Sequence, residues 1–185
     1  MDADEVFFET PRLRVRAFSP ADVEAFVAYR ADPDVARYQS WSDYTLERGR
    51  AFVASLQGAS PGVPGQWLQL ALESRADGVL VGDLALKVDQ DEPRQAEMGF
   101  TLAPAHQGRG YGTEAVTALL GHCFDTLGLH RVVAVTDALN TPSAALLARV
   151  GMRREAHFHE NVFFKGAWGS ELLFAVLERE WAARS

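Results

Sequence analysis

The chain has 185 residues, 48% of them hydrophobic and 23% charged, with a formal net charge of −7. That is enough chain for one full core, with the composition of an ordinary globular protein, so a single domain over residues 1–185 is expected. No apolar run approaches the ~18–20 residues that span a bilayer, the acidic start from Met1 to Thr10 lacks the apolar stretch of a secretion signal, and no basic stripe suits a nucleic acid, so a cytoplasmic protein with neither membrane nor nucleic-acid partners is expected.

In chain order, "PRLRVRAF" (Pro11–Phe18) alternates Leu13, Val15 and Ala17 with Arg12, Arg14 and Arg16, the pattern of a half-buried strand. "SPADVEAFVAYR" starts a helix, with Ser19 as N-cap, Pro20 at the first helical position and Asp22 completing a capping box. A second helix is predicted over Thr45–Leu56, after the aromatic, aperiodic stretch "VARYQSWSDY". "GASPGVPG" (Gly58–Gly65) reads as a loop. "QWLQLALES" and "GVLVGDLALKVD" read as strands joined through Asp77-Gly78, and "QAEMGFTL" (Gln95–Leu102) as another strand.

The period then changes. Ala115, Val116, Leu119, Leu120, Cys123, Phe124 and Leu127 fall on one face of a helix predicted over Thr113–Leu127. "RVVAVTD" (Arg131–Asp137) is an almost continuous apolar strand, expected to be buried on both faces. "NTPSAALLARVG" is a helix entered through Asn140–Ser143 and closed by Gly151. "HENVFFK" and "ELLFAVLE" form a final strand pair turned at "GAWG". The order β-α-α-β-β-β-α-β-α-β-β implies a mixed sheet with helices on both sides. The one cysteine, Cys123, excludes an internal disulfide and a cysteine-based zinc site, and its helix face makes it a core residue. The five histidines show no metal-ligand spacing, and no metal is expected.

"HQGRGYGTEAV" (His106–Val116) carries Gly108, Gly110 and Gly112 between a strand and a helix. A helix start presents unpaired N–H groups and about half a positive charge, and glycines let an anion approach them. The string is not G-x-x-x-x-G-K-[ST], so it is not a P-loop. Its spacing and mid-chain position do not fit a Rossmann fingerprint. A tight left-handed turn before a helix is the simpler alternative.

"QGRGYG" (Gln107–Gly112) resembles the Q/R-x-x-G-x-G/A loop of the GNAT superfamily of N-acetyltransferases. "AEMGFTLAPAHQGRGYGTEAV", "LGLHRVVAVTDALNTPSAALLARVGM", "FFKGAWGSELLFAVLEREW" and "TPRLRVRAFSPADVEAF" together resemble its RimJ/RimL-type branch, over nearly the whole chain. The resemblance implies an α/β (α+β mixed) GNAT fold, with a mostly antiparallel, splayed central sheet flanked by helices. It also implies acetyl-CoA as co-substrate and an amine acceptor, either a peptide N-terminus or a small molecule. Homodimerisation follows family habit and the apolar strand "LLFAVL".

On that resemblance Gln107, Gly108, Arg109, Gly110, Tyr111, Gly112 and Thr113 hold the cofactor's diphosphate. Backbone groups of Gly99, Phe100, Thr101 and Leu102 polarise the thioester carbonyl. Glu97, on the strand before the loop, is the candidate base; a solvated or arginine-paired glutamate is the alternative. Asn140 and Ser143 match an N-x-x-S pair, Asn140 touching pantetheine and Ser143 facing the sulfur as a proton donor. Both residue types also serve as plain helix caps. Tyr38 and Trp41 lie in the segment that covers the acceptor, where aromatics either cage an amine or simply pack.

Three positions depart from the pattern. Leu147 stands where many GNAT enzymes have an acidic tyrosine, Ser170 where the branch has Asp, and His159 where it has Arg. Strand alternation turns Glu171 to the face opposite Ser170. A non-catalytic CoA-binding sensor of the same fold is the alternative to an enzyme.

Overall fold

A computed structural model describes residues 5–59 and 62–184. Its strands are β1 (Val6–Glu9), β2 (Leu13–Arg16), β3 (Trp67–Ser74), β4 (Leu80–Val88), β5 (Gln95–Leu102), β6 (Arg131–Asp137), β7 (Arg153–Phe164) and β8 (Ala167–Leu177). The helices are α1 (Val23–Arg30), α2 (Pro33–Ala36), α3 (Leu46–Ser55), α4 (Tyr111–Gly121), α5 (Thr141–Arg149) and α6 (Glu178–Ala182). The strands form one sheet in the order β1-β2-β3-β4-β5-β6-β8-β7. Only β5 and β6 run parallel, because α4 carries the chain between them.

Strand alternation gives the sheet two apolar faces. Leu70, Leu84, Met98 and Ala134 point to one, which α4 covers with Ala115, Val116, Leu119 and Leu120, and α5 with Leu147. The other face carries Ala71 and Leu80 under α1 and α3, with Phe18, Phe26, Val53 and Leu56. Helices therefore lie on both sides, as expected for this order.

Several elements differ from the sequence reading for physical reasons. Arg16, expected to face water, is buried; its guanidinium binds Asp22, in the turn that leads into α1, at 2.7 and 2.8 Å and Glu73 on β3 at 2.6 Å. The α4 helix starts two residues early, and after Gly121 a π-helical turn, Leu127 N–H to the His122 carbonyl, turns Cys123 and Phe124 inward. The β7–β8 hairpin is longer than predicted and turns at Lys165-Gly166, both with positive φ, so that of "GAWG" only its first glycine lies in the turn and the rest belongs to β8. β1, α2 and α6 have no counterpart in the reading, being four or five residues each, too short to show a period.

β5 and β6 pair at only three positions, from Gln95↔Arg131 to Glu97↔Val133. Beyond Glu97 they diverge. Val135, expected to be buried, is 38% exposed because its neighbouring strand has left it. This splay opens the cleft described next.

Candidate active site

Between the diverging strands lies a cleft of about 860 Å³. β5 supplies one wall with Gly99, Phe100, Thr101 and Leu102; β6 supplies the other with Ala134 to Asp137. β4 still pairs with β5, and β8 with β6, on their outer edges. The backbone groups on the two inner edges are thus left for a ligand, since strand groups without a neighbour need another partner.

The glycine loop closes one end of the cleft through Gln107, Gly108, Gly110, Gly112 and Thr113. The three glycines answer different needs. Gly108 (φ 71°) and Gly110 (φ 80°) take the left-handed conformation that other residues adopt only at a cost. Gly112 has ordinary helical backbone, but a Cβ there would lie 2.7 Å from Leu146 Cδ1 and 3.2 Å from Leu102 Cδ1. It lets α4 sit close against α5 and β5, a packing role the sequence reading did not separate from ligand access. The first intrahelical bond is Glu114 N–H to the Gly110 carbonyl (3.1 Å), so the amides of Tyr111, Gly112 and Thr113 precede it. The Gln107 side chain donates to the Leu102 carbonyl (3.0 Å) and ties the loop back to β5. Arg149 stands at the same end.

Arg109 and Tyr111 do not line the cleft. The Arg109 carbonyl accepts from Arg12 Nη1 (2.9 Å), and the Arg12 guanidinium lies 4.7 Å from the Tyr111 ring centroid. Arg12 in turn pairs with Glu114 (2.6 Å). Together these residues brace the back of the loop.

Asn140 caps α5: its side-chain oxygen accepts from Ser143 N–H (3.2 Å). Both residues also line the cleft, so cap and wall are the same residues. Leu147, one helical turn on, belongs to the core and forms part of the cleft floor.

The opposite end is built from two elements. The α2 side gives Asp34, Tyr38, Gln39 and Ser40; the hairpin gives Val162 and Phe164. Lys165 Nζ donates to the Ala36 carbonyl (2.5 Å) and joins them. Tyr38 therefore lines the cleft, but Trp41 does not. Trp41 is 8% exposed, its indole donates to the Arg30 carbonyl (3.0 Å), and its ring lies 3.9 Å below the Arg30 guanidinium. It packs beside Tyr44 and Phe26, as the packing alternative describes.

Glu97 also lies outside the cleft lining. It is the last residue before the strands part, on the face opposite Met98, and its carboxylate pairs with Lys87 at 3.3 Å. The predicted base thus has a cationic partner of its own, and no described contact turns it toward the splay. Ser170 points away from the cleft and accepts from Glu160 N–H (2.9 Å). Glu171, on the other face as strand alternation requires, does line the cleft, with Asp137 opposite it in the β6–β8 ladder. Sequence reading missed Asp137 as a site residue; its position as the last residue of "RVVAVTD", three before the Asn140 cap, was the available signal. His157 and His159 are both exposed on β7, their ring centroids 4.0 Å apart and tilted by 33°, and neither lines the cleft.

Comparison with known proteins agrees with this geometry. A family model described as an acetyltransferase (GNAT) domain matches residues 12–153. An uncharacterized N-acetyltransferase of Bacillus subtilis, YnaD, is 30% identical over 172 residues, covering 93% of this chain and 97% of that protein. The Escherichia coli [ribosomal protein uS5]-alanine N-acetyltransferase is 30% identical over 84 residues, 45% of this chain and 43% of that one. Among solved structures, a GNAT-family acetyltransferase from Bacillus anthracis superimposes with a TM-score of 0.84 at 31% identity, over 93% of this chain and 98% of that one. With its splayed sheet, glycine loop and N-x-x-S helix start, the chain belongs to the GNAT acetyltransferase family and is an N-acetyltransferase.

Proposed function

We propose that this enzyme moves an acetyl group from acetyl-CoA directly to a primary amine, both bound at once in the splayed cleft. One observation carries the reading: a single cavity runs from the amides at the α4 start to a carboxylate-bearing mouth between α2 and the β7–β8 hairpin. An anionic donor and a cationic acceptor therefore enter from opposite ends.

The residues fit the donor. Amides of Tyr111, Gly112 and Thr113, with the helix dipole behind them, hold a diphosphate. Gly108 and Gly110 keep the loop open to it, and Arg149 adds a positive charge. The edge along Gly99–Thr101, which β6 leaves, accepts and donates to pantetheine amides and places an N–H at the thioester carbonyl, where it stabilises the developing oxyanion. Acetyl-CoA supplies an activated acyl group whose thiolate, near pKa ~8.5, leaves with little help. Ser143 stands where its hydroxyl can face that sulfur. Leu147 offers no proton, so any acid assistance falls to Ser143 or water.

An alkylammonium with a pKa near ~10.4 must lose a proton before attack. The acceptor class is a primary amine of a peptide N-terminus or of a small polycation. The test is acetyl transfer followed by free-thiol release, with an alanine-led peptide and spermidine as acceptors. Thiol release that needs both acetyl-CoA and amine is expected. Tight CoA binding with no amine-dependent thiol release would instead fit a sensor of the same fold.

A further inference from the structure

On the acetyl-transfer reading, we propose that Asp137 and Glu171 together receive the acceptor's ammonium group, and that Glu171 is the base that takes its proton.

Asp137 and Glu171 face each other directly across the β6–β8 ladder and both line the cleft that also holds Ser143. Directly opposite residues stand about 4.5–5.5 Å apart at Cβ, room for one ammonium to bond to both carboxylates. Like charges so placed destabilise a ladder, and a cation between them removes that cost. None of the ion pairs among the described residues uses either carboxylate. Lys165, at the same mouth, gives its ammonium to the Ala36 carbonyl instead.

Each carboxylate is held by one oxygen and presents the other. Asp137 Oδ1 accepts from Leu139 N–H (2.7 Å), and Glu171 Oε2 accepts from Asn161 Nδ2 (2.5 Å). Asp137 is fixed by backbone at the end of its strand. Glu171 has the longer side chain and a side-chain partner, so it can follow the nitrogen. The cleft's charges are also divided: Arg149 and the α4 amides at one end, Asp34, Asp137 and Glu171 at the other. Glu97 meets none of these conditions, being paired with Lys87 and outside the lining.

The step balances as follows. One N–H bond of the ammonium breaks and its proton passes to Glu171, then to solvent. The freed lone pair forms the C–N bond at the thioester carbonyl, whose π electrons move to oxygen. The C–S bond breaks, and a second proton from nitrogen ends on the departing sulfur, giving amide and free thiol.

The full-length protein tests this in two arms. In turnover with spermidine or the alanine-led peptide, Glu171→Gln is expected to lose about 100-fold or more in kcat/KM, as for removal of a general base. That deficit shrinks as pH rises toward the amine's own pKa, which a merely structural role would not produce. Acetyl-CoA affinity, read by calorimetry, stays near wild type. If Glu97→Gln is the more damaging substitution, or if the Glu171→Gln deficit is independent of pH, the proposal is overturned. In the binding arm, spermidine titrated into the CoA complex is expected to lose at least tenfold in affinity in Asp137→Asn/Glu171→Gln. Unchanged affinity overturns the proposal, as does a wild-type complex that binds neither probe at millimolar concentration. Failure to bind acetyl-CoA would instead strike the acetyl-transfer reading itself.

Discussion

Replacing Arg30 by methionine tests how the acceptor end of the cleft is supported. Arg30 is 5% exposed and ends α1. Its guanidinium lies 3.9 Å from the Trp41 ring centroid and 4.4 Å from that of Phe26, and Nη2 is 3.4 Å from Asp83 Oδ1. Asp83 is fully buried and also accepts from Tyr29 Oη (2.5 Å) and from Gln69 Nε2. Removing one partner of a buried ion pair costs about 3–5 kcal/mol because a charge is stranded. Asp83 keeps two donors here, and Arg30 Nε is buried without a partner, so the lower end, about 3–4 kcal/mol with the lost stacking, applies. For a chain of this size that is a fall in Tm of about 6–16 °C. Circular dichroism melts at pH 7 measure it. Arg30→Met/Asp83→Asn, which removes both charges and keeps a side-chain oxygen for Tyr29 and Gln69, is expected to recover most of the loss. The Tyr38–Ser40 lip continues directly from Trp41, so acceptor KM should rise in the single variant while acetyl-CoA affinity holds. A fall in Tm under about 2 °C, or a double variant worse than the single, would refute the reasoning.

Gly110→Ala forces a left-handed alanine at a cost of about 1–2 kcal/mol and puts a Cβ 3.3 Å from Arg12 Nη2, so CoA should bind roughly 5- to 30-fold more weakly by calorimetry. Gly108→Ala has the same φ problem but open space around it, and should do less harm; the reverse order would contradict the geometry. Burial works to raise the Asp22 carboxyl, but the Arg16 guanidinium and Ser19 N–H outweigh it and hold it below the usual carboxylate range. Its contribution is therefore complete above the unfolded value of ~3.9 and is lost as pH falls through the lower folded value. Asp22→Asn should lower the Tm at pH 7 and flatten its decline below about pH 4; an acid limb as steep as wild type would count against the pair. Burial pushes the Cys123 thiol up to about 12, so a disulfide reagent should label it only at the rate of unfolding. Rapid labelling of the native protein would show that α4 does not shield it.

The sheet and its long helices were legible because their signals are local. Gln95–Leu102 and Arg131–Asp137 were predicted to the residue, since each is an unbroken strand pattern between breakers. The N-cap at Asn140 was also legible, its side chain accepting from the third residue on. What the sequence could not show was which residues tertiary packing would recruit. Arg16 alternates like a solvent residue but is buried between Asp22 and Glu73, and Val135 looks buried but faces a gap. Glu97 sits beside the loop in sequence, yet the splay begins one residue later and Lys87 claims its charge. Asp137 and Glu171 are 34 positions apart in number and meet only through the β6–β8 register, a pairing that no local pattern encodes.

A crystal structure of the protein with coenzyme A tests the account most directly. The diphosphate is expected against the amides of Tyr111, Gly112 and Thr113, with the sulfur between β5 and β6 on the side of Ser143. A diphosphate bound elsewhere, or a cleft filled by the protein's own side chains with coenzyme A in excess, would contradict it.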